Sequence, residues 1–186
     1  SMVASAIENR RLFDQTRQRA AELEESTNFL DSVIDTIPSG VFVKEAENLT
    51  FVEWNKGNEA IIGLTKKEVL GKSDYDFFPK EEASFFIKAD REVLASGKSV
   101  EIPEEQIPTL HKGVRLLRTI KTPIVGADGQ PKYLLCVSED ITEQKQSEEA
   151  LRVNEARYRA LFNAIPDLII RYNNQGVYLD IKEAIG

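Results

Sequence analysis

The sequence predicts an α+β fold in which a run of short strands and short helices stands between two long helices. Three observations predict it. Residues from about Val3 to Ile37 hold no proline and no glycine, and they place apolar or small residues at seven-residue intervals. Five β-prone runs follow between Val41 and Glu139, separated by turn residues. The opening pattern of the chain then returns 128 residues further on.

The N-terminal segment carries two ladders, Phe13, Ala20, Thr27, Ile34 and Thr16, Leu23, Leu30, Ile37. Together they give the 3-4 spacing of a coiled-coil seam, weakened by its threonines and alanine. Phe13, Ala20, Leu23, Leu30 and Ile34 are therefore the expected dimer seam. Pro38-Ser39-Gly40 ends the helix, since proline disfavours helix at the residue before it. Val41 to Val43 and Leu49 to Val52 are expected to form a hairpin around Ala46-Glu47-Asn48. Asn55 to Ile62 reads as a short helix stopped at Gly63. Thr65 and Glu68 have capping-box spacing for another, closed at Gly71. Pro79 suits the first position of a helix running to about Ser96, with Gly97 as its stop. Ser99 to Gln106, Val114 to Ile124 and Lys132 to Glu139 read as strands, the last two joined by a Gly126 to Gly129 turn. Asp140 with Glu143 has the spacing of a helix start. That helix is expected to reach about Ala164 and stop at Pro166. Leu168 to Ile170 and Val177 to Leu179 then read as strands about an Asn173 to Gly176 turn.

The repeat covers these last elements. A shift of 128 residues brings Leu23 onto Leu151, Leu30 onto Tyr158, Ile34 onto Phe162 and Ile37-Pro38 onto Ile165-Pro166. Val41-Phe42 then meets Ile169-Ile170, and Leu49 and Phe51 meet Val177 and Leu179. The period is too long for a solenoid repeat and has the size of a domain with its linker. The second copy breaks off after one hairpin, too little to close a sheet.

Composition excludes several classes of function. The net charge is -7, from 24 basic and 31 acidic residues, which argues against a nucleic-acid or anionic-membrane surface. No run approaches the roughly 20 apolar residues of a membrane span, and the N-terminus lacks a signal pattern. Ser1-Met2 reads as an expression remnant before an internal fragment. Cys136 is the one cysteine, which fits a reducing, cytoplasmic compartment. His111 is the one histidine, so no Cys/His metal cluster is expected. Asp74, Asp76, Glu81 and Glu82 lack companion ligands at useful spacing, and charge at a helix start is favoured in any case. Gly57, Gly63 and Gly71 are too far apart for a phosphate loop. No catalytic or metal site is expected, and any kinase output lies outside the chain.

The order of elements, with certain residues, resembles the PAS family. Asn55 with Ala60 and Gly63-Leu64 is similar to that family's Asn–Ala–Gly signature. Val69-Leu70-Gly71-Lys72, Tyr75 to Pro79, and Asp140-Ile141-Thr142 are similar to its other recurrent steps. Val3 to Glu25 resembles the exit helix of a GAF domain. The resemblance implies a five-stranded antiparallel sheet with helices on one face. It implies a linker helix over residues 1–28, a PAS domain over 29–142, a linker over 143–164 and the start of a second PAS domain over 165–186. It implies a sensor or transmitter, homodimeric through its linkers, serving flanking domains of a signalling protein, a two-component histidine kinase or similar effector. A dimerisation or relay spacer that binds no small molecule is the alternative.

Candidate pocket residues under this resemblance are Phe42, Asn55, Leu117, Thr119, Leu134, Cys136 and Ser138. Asp140, Ile141 and Thr142 are the expected relay from sheet to exit helix. Alternation on the Val114 to Ile124 strand leaves its inward face open between the Leu117/Thr119 set and the Val114/Leu116/Ile120 set. No cofactor identity follows. Haem lacks an axial ligand, with His111 in a loop, and covalent flavin chemistry lacks the cysteine it needs near residues 72–78. Cys136, on a strand, reads as a buried inert thiol rather than a redox sensor.

Overall fold

With no proline or glycine to interrupt it, the N-terminal segment forms one helix, α1 (Met2–Thr36), ended by the Pro38 turn. The structure, a computed structural model, describes residues 2–164 and 169–182. The Ile165-Pro166 step of the repeat, Leu168 and residues 183–186 lie outside the described residues.

Five strands follow in one antiparallel sheet, β1 (Gly40–Glu45), β2 (Phe51–Trp54), β3 (Val100–Thr109), β4 (Gly113–Val125) and β5 (Pro131–Asp140). Their order across the sheet is β2-β1-β5-β4-β3, so the first and last strands pair at its centre. Helices α2 (Lys56–Ile62), α3 (Lys66–Val69) and α4 (Lys80–Ser96), with a 3-10 turn at Asp74–Asp76, fill the crossover between β2 and β3. α2 packs on β1, and α4 packs on β4 and β5.

Some boundaries differ from the sequence reading, three of them for a local reason, and β3 runs on to Thr109 rather than ending at Gln106. β2 begins at Phe51 rather than Leu49, because Leu49 takes a left-handed φ of 58° and donates its N–H to Glu45. Pro79 stands just before α4 rather than inside it. The C-terminal helix α5 (Thr142–Ala164) begins two residues after Asp140, which still belongs to β5 and pairs with Leu117. The Thr65–Glu68 capping box forms as expected, with Thr65 N–H and Oγ1 both donating to Glu68 Oε2.

The chain divides into two compact units between Ile141 and Thr142. The second holds α5 and the hairpin β6 (Ile169–Tyr172) with β7 (Tyr178–Lys182). Among the described residues no helix is long and apolar enough to cross a membrane.

Register fixes which side chains share the covered face of the sheet. Phe42 lies opposite Cys136, Lys44 opposite Leu134, and Thr119 opposite Ser138. Lys121 lies opposite Cys136 on the other side. On β4 the inward set is Leu117, Thr119 and Lys121, all buried, while Ile120 is 42% exposed on the other face. The core beneath holds Phe51, Trp54, Val69 and Phe86 in one cluster and Leu49, Val93, Leu94, Leu134 and Cys136 in another.

Candidate functional site

Asn55 fastens three elements at one end of the covered face. Its Oδ1 accepts the N–H groups of Val41 (2.8 Å) and Asn58 (2.9 Å), which starts β1 and caps α2. Its Nδ2 donates to the carbonyl oxygens of Ile34, Ile37 and Ser39 at 3.0–3.2 Å. The side chain is fully buried, and it ties the last turn of α1 to the domain. Gly57 is required beside it, since a Cβ there would run into the Ser39 carbonyl.

The centre of the covered face is charged. Lys44 on β1 places Nζ 2.6 Å from Asp74 and 2.7 Å from Asp90, and Lys121 on β4 places Nζ 2.6 Å from the other Asp90 oxygen. Asp74–Lys44–Asp90–Lys121 is thus a continuous buried ion chain. Burial pulls the Lys44 ammonium down, but the Asp90 and Asp74 carboxylates outweigh it and hold its pKa above the ordinary 10.5. Lys121 is raised by the same balance, chiefly through Asp90. Burial pushes Asp74 up despite Lys44, and the like charge of Asp90 adds to that direction.

Above this chain lies a cavity of about 60 Å³. Phe42, Phe51 and Trp54 form one wall, their ring centroids 5.3–5.7 Å apart. Trp54 is held in place by its indole N–H, which donates to the Leu64 carbonyl at 3.0 Å. Asn58, Asp74, Phe86, Glu105 and Lys121 complete much of the rest. Asn58 is buried, and its Nδ2 has no hydrogen-bond partner among the described residues.

Of the pocket candidates read from the sequence, Phe42, Leu117 and Ser138 line this cavity. Asn55, Thr119, Leu134 and Cys136 are buried but lie outside its wall. Asn55 is committed to backbone, and Thr119 shares a hydroxyl hydrogen bond with Ser138 at 3.1 Å. Leu134 and Cys136 pack in the second apolar cluster. The Cys136 thiol is pushed up to about 12, first by burial and then by Asp90. The carboxylates Asp74 and Asp76 part company: Asp74 turns inward to Lys44, while Asp76 is exposed and accepts from Ser73 N–H and Oγ. Glu81 and Glu82 are exposed on the first turn of α4, and His111 is exposed in the β3–β4 turn.

Sequence reasoning missed Lys44, Asp90 and Lys121. The signal was present as strand and helix period. Lys121 continues the Leu117/Thr119 face by one more step of two, and Asp90 sits on the Ala83, Phe86, Val93, Leu94 stripe of α4.

The relay candidates straddle the boundary between the units. Asp140 Oδ2 lies 3.2 Å from Arg115 Nε, and Ile141 is buried with its N–H donated to the Leu116 carbonyl at 2.9 Å. Thr142 is the first residue of α5. Of the seam candidates, Phe13, Ala20, Leu23 and Leu30 are exposed on α1 and Ile34 is half-buried.

Three kinds of comparison bear on this site. The family model described as PAS fold matches residues 34–146. The methyl sulfide methyltransferase-associated sensor of Methanosarcina acetivorans is 26% identical over 144 residues, covering 77% of this chain and 14% of that protein. The cyclic di-GMP phosphodiesterase PdeR of Escherichia coli is 28% identical over 175 residues, covering 87% of this chain and 26% of that protein. The chain thus spans 14% and 26% of the length of these two curated relatives. Among solved structures, the PAS domain of BvgS from Bordetella pertussis is similar with a TM-score of 0.54 at 20% identity, over 72% of this chain and 98% of that one.

Proposed function

The chain belongs to the PAS fold family, matched over residues 34–146, and on that premise we propose that it is a non-catalytic sensor and transmitter segment of a longer cytoplasmic signalling protein. Residues 29–142 form the sensing domain, 1–28 and 143–164 its linkers, and 165–186 the start of a second such domain. Two copies associate through the linkers, with Phe13, Ala20, Leu23, Leu30 and Ile34 in the seam. The effector is a histidine kinase or an enzyme of comparable signalling role. Relatives named as a sensor and as a cyclic di-GMP phosphodiesterase support that class of parent protein.

One observation carries the reading. Ser138 lines the interior cavity, and the strand that bears it passes into α5 only four residues later, at Thr142. A ligand or rearrangement at Ser138 therefore acts on Asp140 and Ile141, which are fastened to β4, and through Thr142 on the linker.

The spacer reading has an observation in its favour too. A cavity of about 60 Å³ is far below the roughly 300 Å³ at which drug-sized ligand sites begin, and its floor is already filled by paired charges. Mass spectrometry of the denatured protein, purified from cells, separates the two. Release of one small compound in stoichiometric amount supports the sensor. An empty protein supports the spacer.

A further inference from the structure

Helix α4 packs on β4 and β5, and a groove of about 700 Å³ separates it from β3, the edge strand of the sheet. The groove is apolar on both banks. Phe85 on α4 is 64% exposed and Val114 on β4 61%, and Ile102 and Pro108 of β3 line it half-buried. The neighbouring Phe86 turns into the core, so Phe85 is the ring of the two that is left to solvent. A single exposed apolar side chain needs no explanation, but a concave patch of them drawn from three elements marks a contact surface.

Charge and backbone together select the occupant. Every charged side chain that lines the groove is a carboxylate, Glu81 and Glu82 from the first turn of α4 and Glu104 and Glu105 from β3. The preference of helix starts for acid accounts for the first two and not for the others. A cationic partner is attracted here and an anionic one repelled. The strand itself is a poor template, because β3 carries Pro103 and Pro108. Proline has no N–H to give to a ladder, so both blunt this free edge against an added strand. What remains is side-chain docking, the mode in which an amphipathic helix lays an apolar face into a groove. The bank from Glu81 to Ala89 is about 12 Å long at 1.5 Å per residue, room for two turns of such a helix.

We propose that the groove between α4 and β3 is the docking site of a basic amphipathic helix of a partner protein. The apolar face of that helix packs on Phe85 and Val114, and the lysine or arginine side chains flanking it face Glu81 and Glu82. This surface is distinct from the α1 seam and from the interior cavity, so its occupant is independent of what the cavity holds.

The full ¹⁵N-labelled chain is titrated with helical peptides of about 15 residues, long enough to hold a helix in water. One carries leucines at i, i+4 and i+7 among lysines, a second has glutamate in place of each lysine, and a third has serine in place of each leucine. Saturable movement of the Phe85, Gln106 and Val114 amide signals by the leucine–lysine peptide alone is expected, weakening as salt is raised. Phe85→Ser should weaken it by about tenfold or more, the loss expected of one buried aromatic anchor. Glu81→Gln with Glu82→Gln should weaken it less and flatten its salt dependence. All three positions are exposed, so an unchanged urea midpoint shows that the fold is intact. An equal response to the serine–lysine peptide reduces the groove to adventitious attraction of charge and overturns the proposal. So does an equal response to the leucine–glutamate peptide, a response centred on α1 or α5, or none at all. Conversion of a dimer to a monomer by Phe85→Ser would overturn it too, because the groove is then filled by a second copy of this chain.

Discussion

Lys44 is the residue on which the interior turns. Its ammonium is shared by two carboxylates and also lies 4.8 Å from the Phe51 ring centroid. Removing it leaves Asp74 and Asp90 facing one another with little water, so Lys44→Met is expected to destabilise the domain by about 3–5 kcal/mol. Replacing the whole chain with apolar residues (Lys44→Met, Asp74→Leu, Asp90→Leu, Lys121→Met) recovers most of that loss, because none of its four charges is then left without its partner. Urea midpoints for the two variants decide it, and a quadruple variant weaker than the single would refute the ion-chain account. The pH dependence has a definite sign. Lys44 and Lys121 have folded pKa values above 10.5. Their contribution is fully present below 10.5 and disappears as pH rises through the folded values. Stability should therefore fall above that point, and more shallowly in Lys44→Met. Asp74 is shifted in the same direction, raised above its ordinary 3.8 by burial, so it too favours the fold as pH falls, but in the acid range towards that value. The period alone placed Lys121 and Asp90 on inward faces, but the ion chain was not legible, because a lysine in a strand reads as solvent-facing until its partners are known, and those of Lys44 lie 30 and 46 residues away.

Elements were far more legible than the site, since each is specified by neighbours in sequence. The glycine after α2, the capping box of α3 and the five strands follow from local pattern, and all of them form. Boundaries slipped where a longer-range bond took precedence, as at Asp140, which β4 holds in the sheet through Leu117. Asn55 was recognisable as a special position, but its part in joining elements depends on carbonyls up to 21 residues earlier. Asn55→Ala removes the acceptor for two N–H groups and the donor for three carbonyls at once. Its expected cost is on the order of 3 kcal/mol. Hydrogen exchange should quicken first at Val41 and Asn58, whose amides lose their acceptor, and in the last turn of α1. Exchange that quickens uniformly over the whole sheet instead would show that Asn55 acts on global stability alone.

For the whole molecule the decisive feature is α1. It is 35 residues long, about 52 Å at 1.5 Å per residue, yet its hydrogen bonds to the domain come from its last turns, at Ile34 and Asp35. Along the rest, Phe13 is 68% exposed, Leu23 69% and Leu30 55%, on the two ladders that the sequence marks as a seam. Stable helices in proteins owe most of their stability to a buried apolar face. A second copy of the same ladder supplies that burial in register, because a heptad seam is self-complementary. The chain is accordingly expected to sediment as a dimer at roughly tens of micromolar, a range in which modest coiled coils associate. The double variant Leu23→Asp, Leu30→Asp places carboxylates at two successive rungs of one ladder and should sediment as a monomer. Both positions are exposed, so the urea midpoint of the sheet domain should scarcely move, which separates loss of association from loss of fold. A wild-type chain that stays monomeric at those concentrations would remove the seam altogether, and a double variant that remains dimeric would move it off α1. Dimerisation would then fall to α5, where Leu151 and Leu161 are exposed, or to the exposed β-sheet face that carries Ile120.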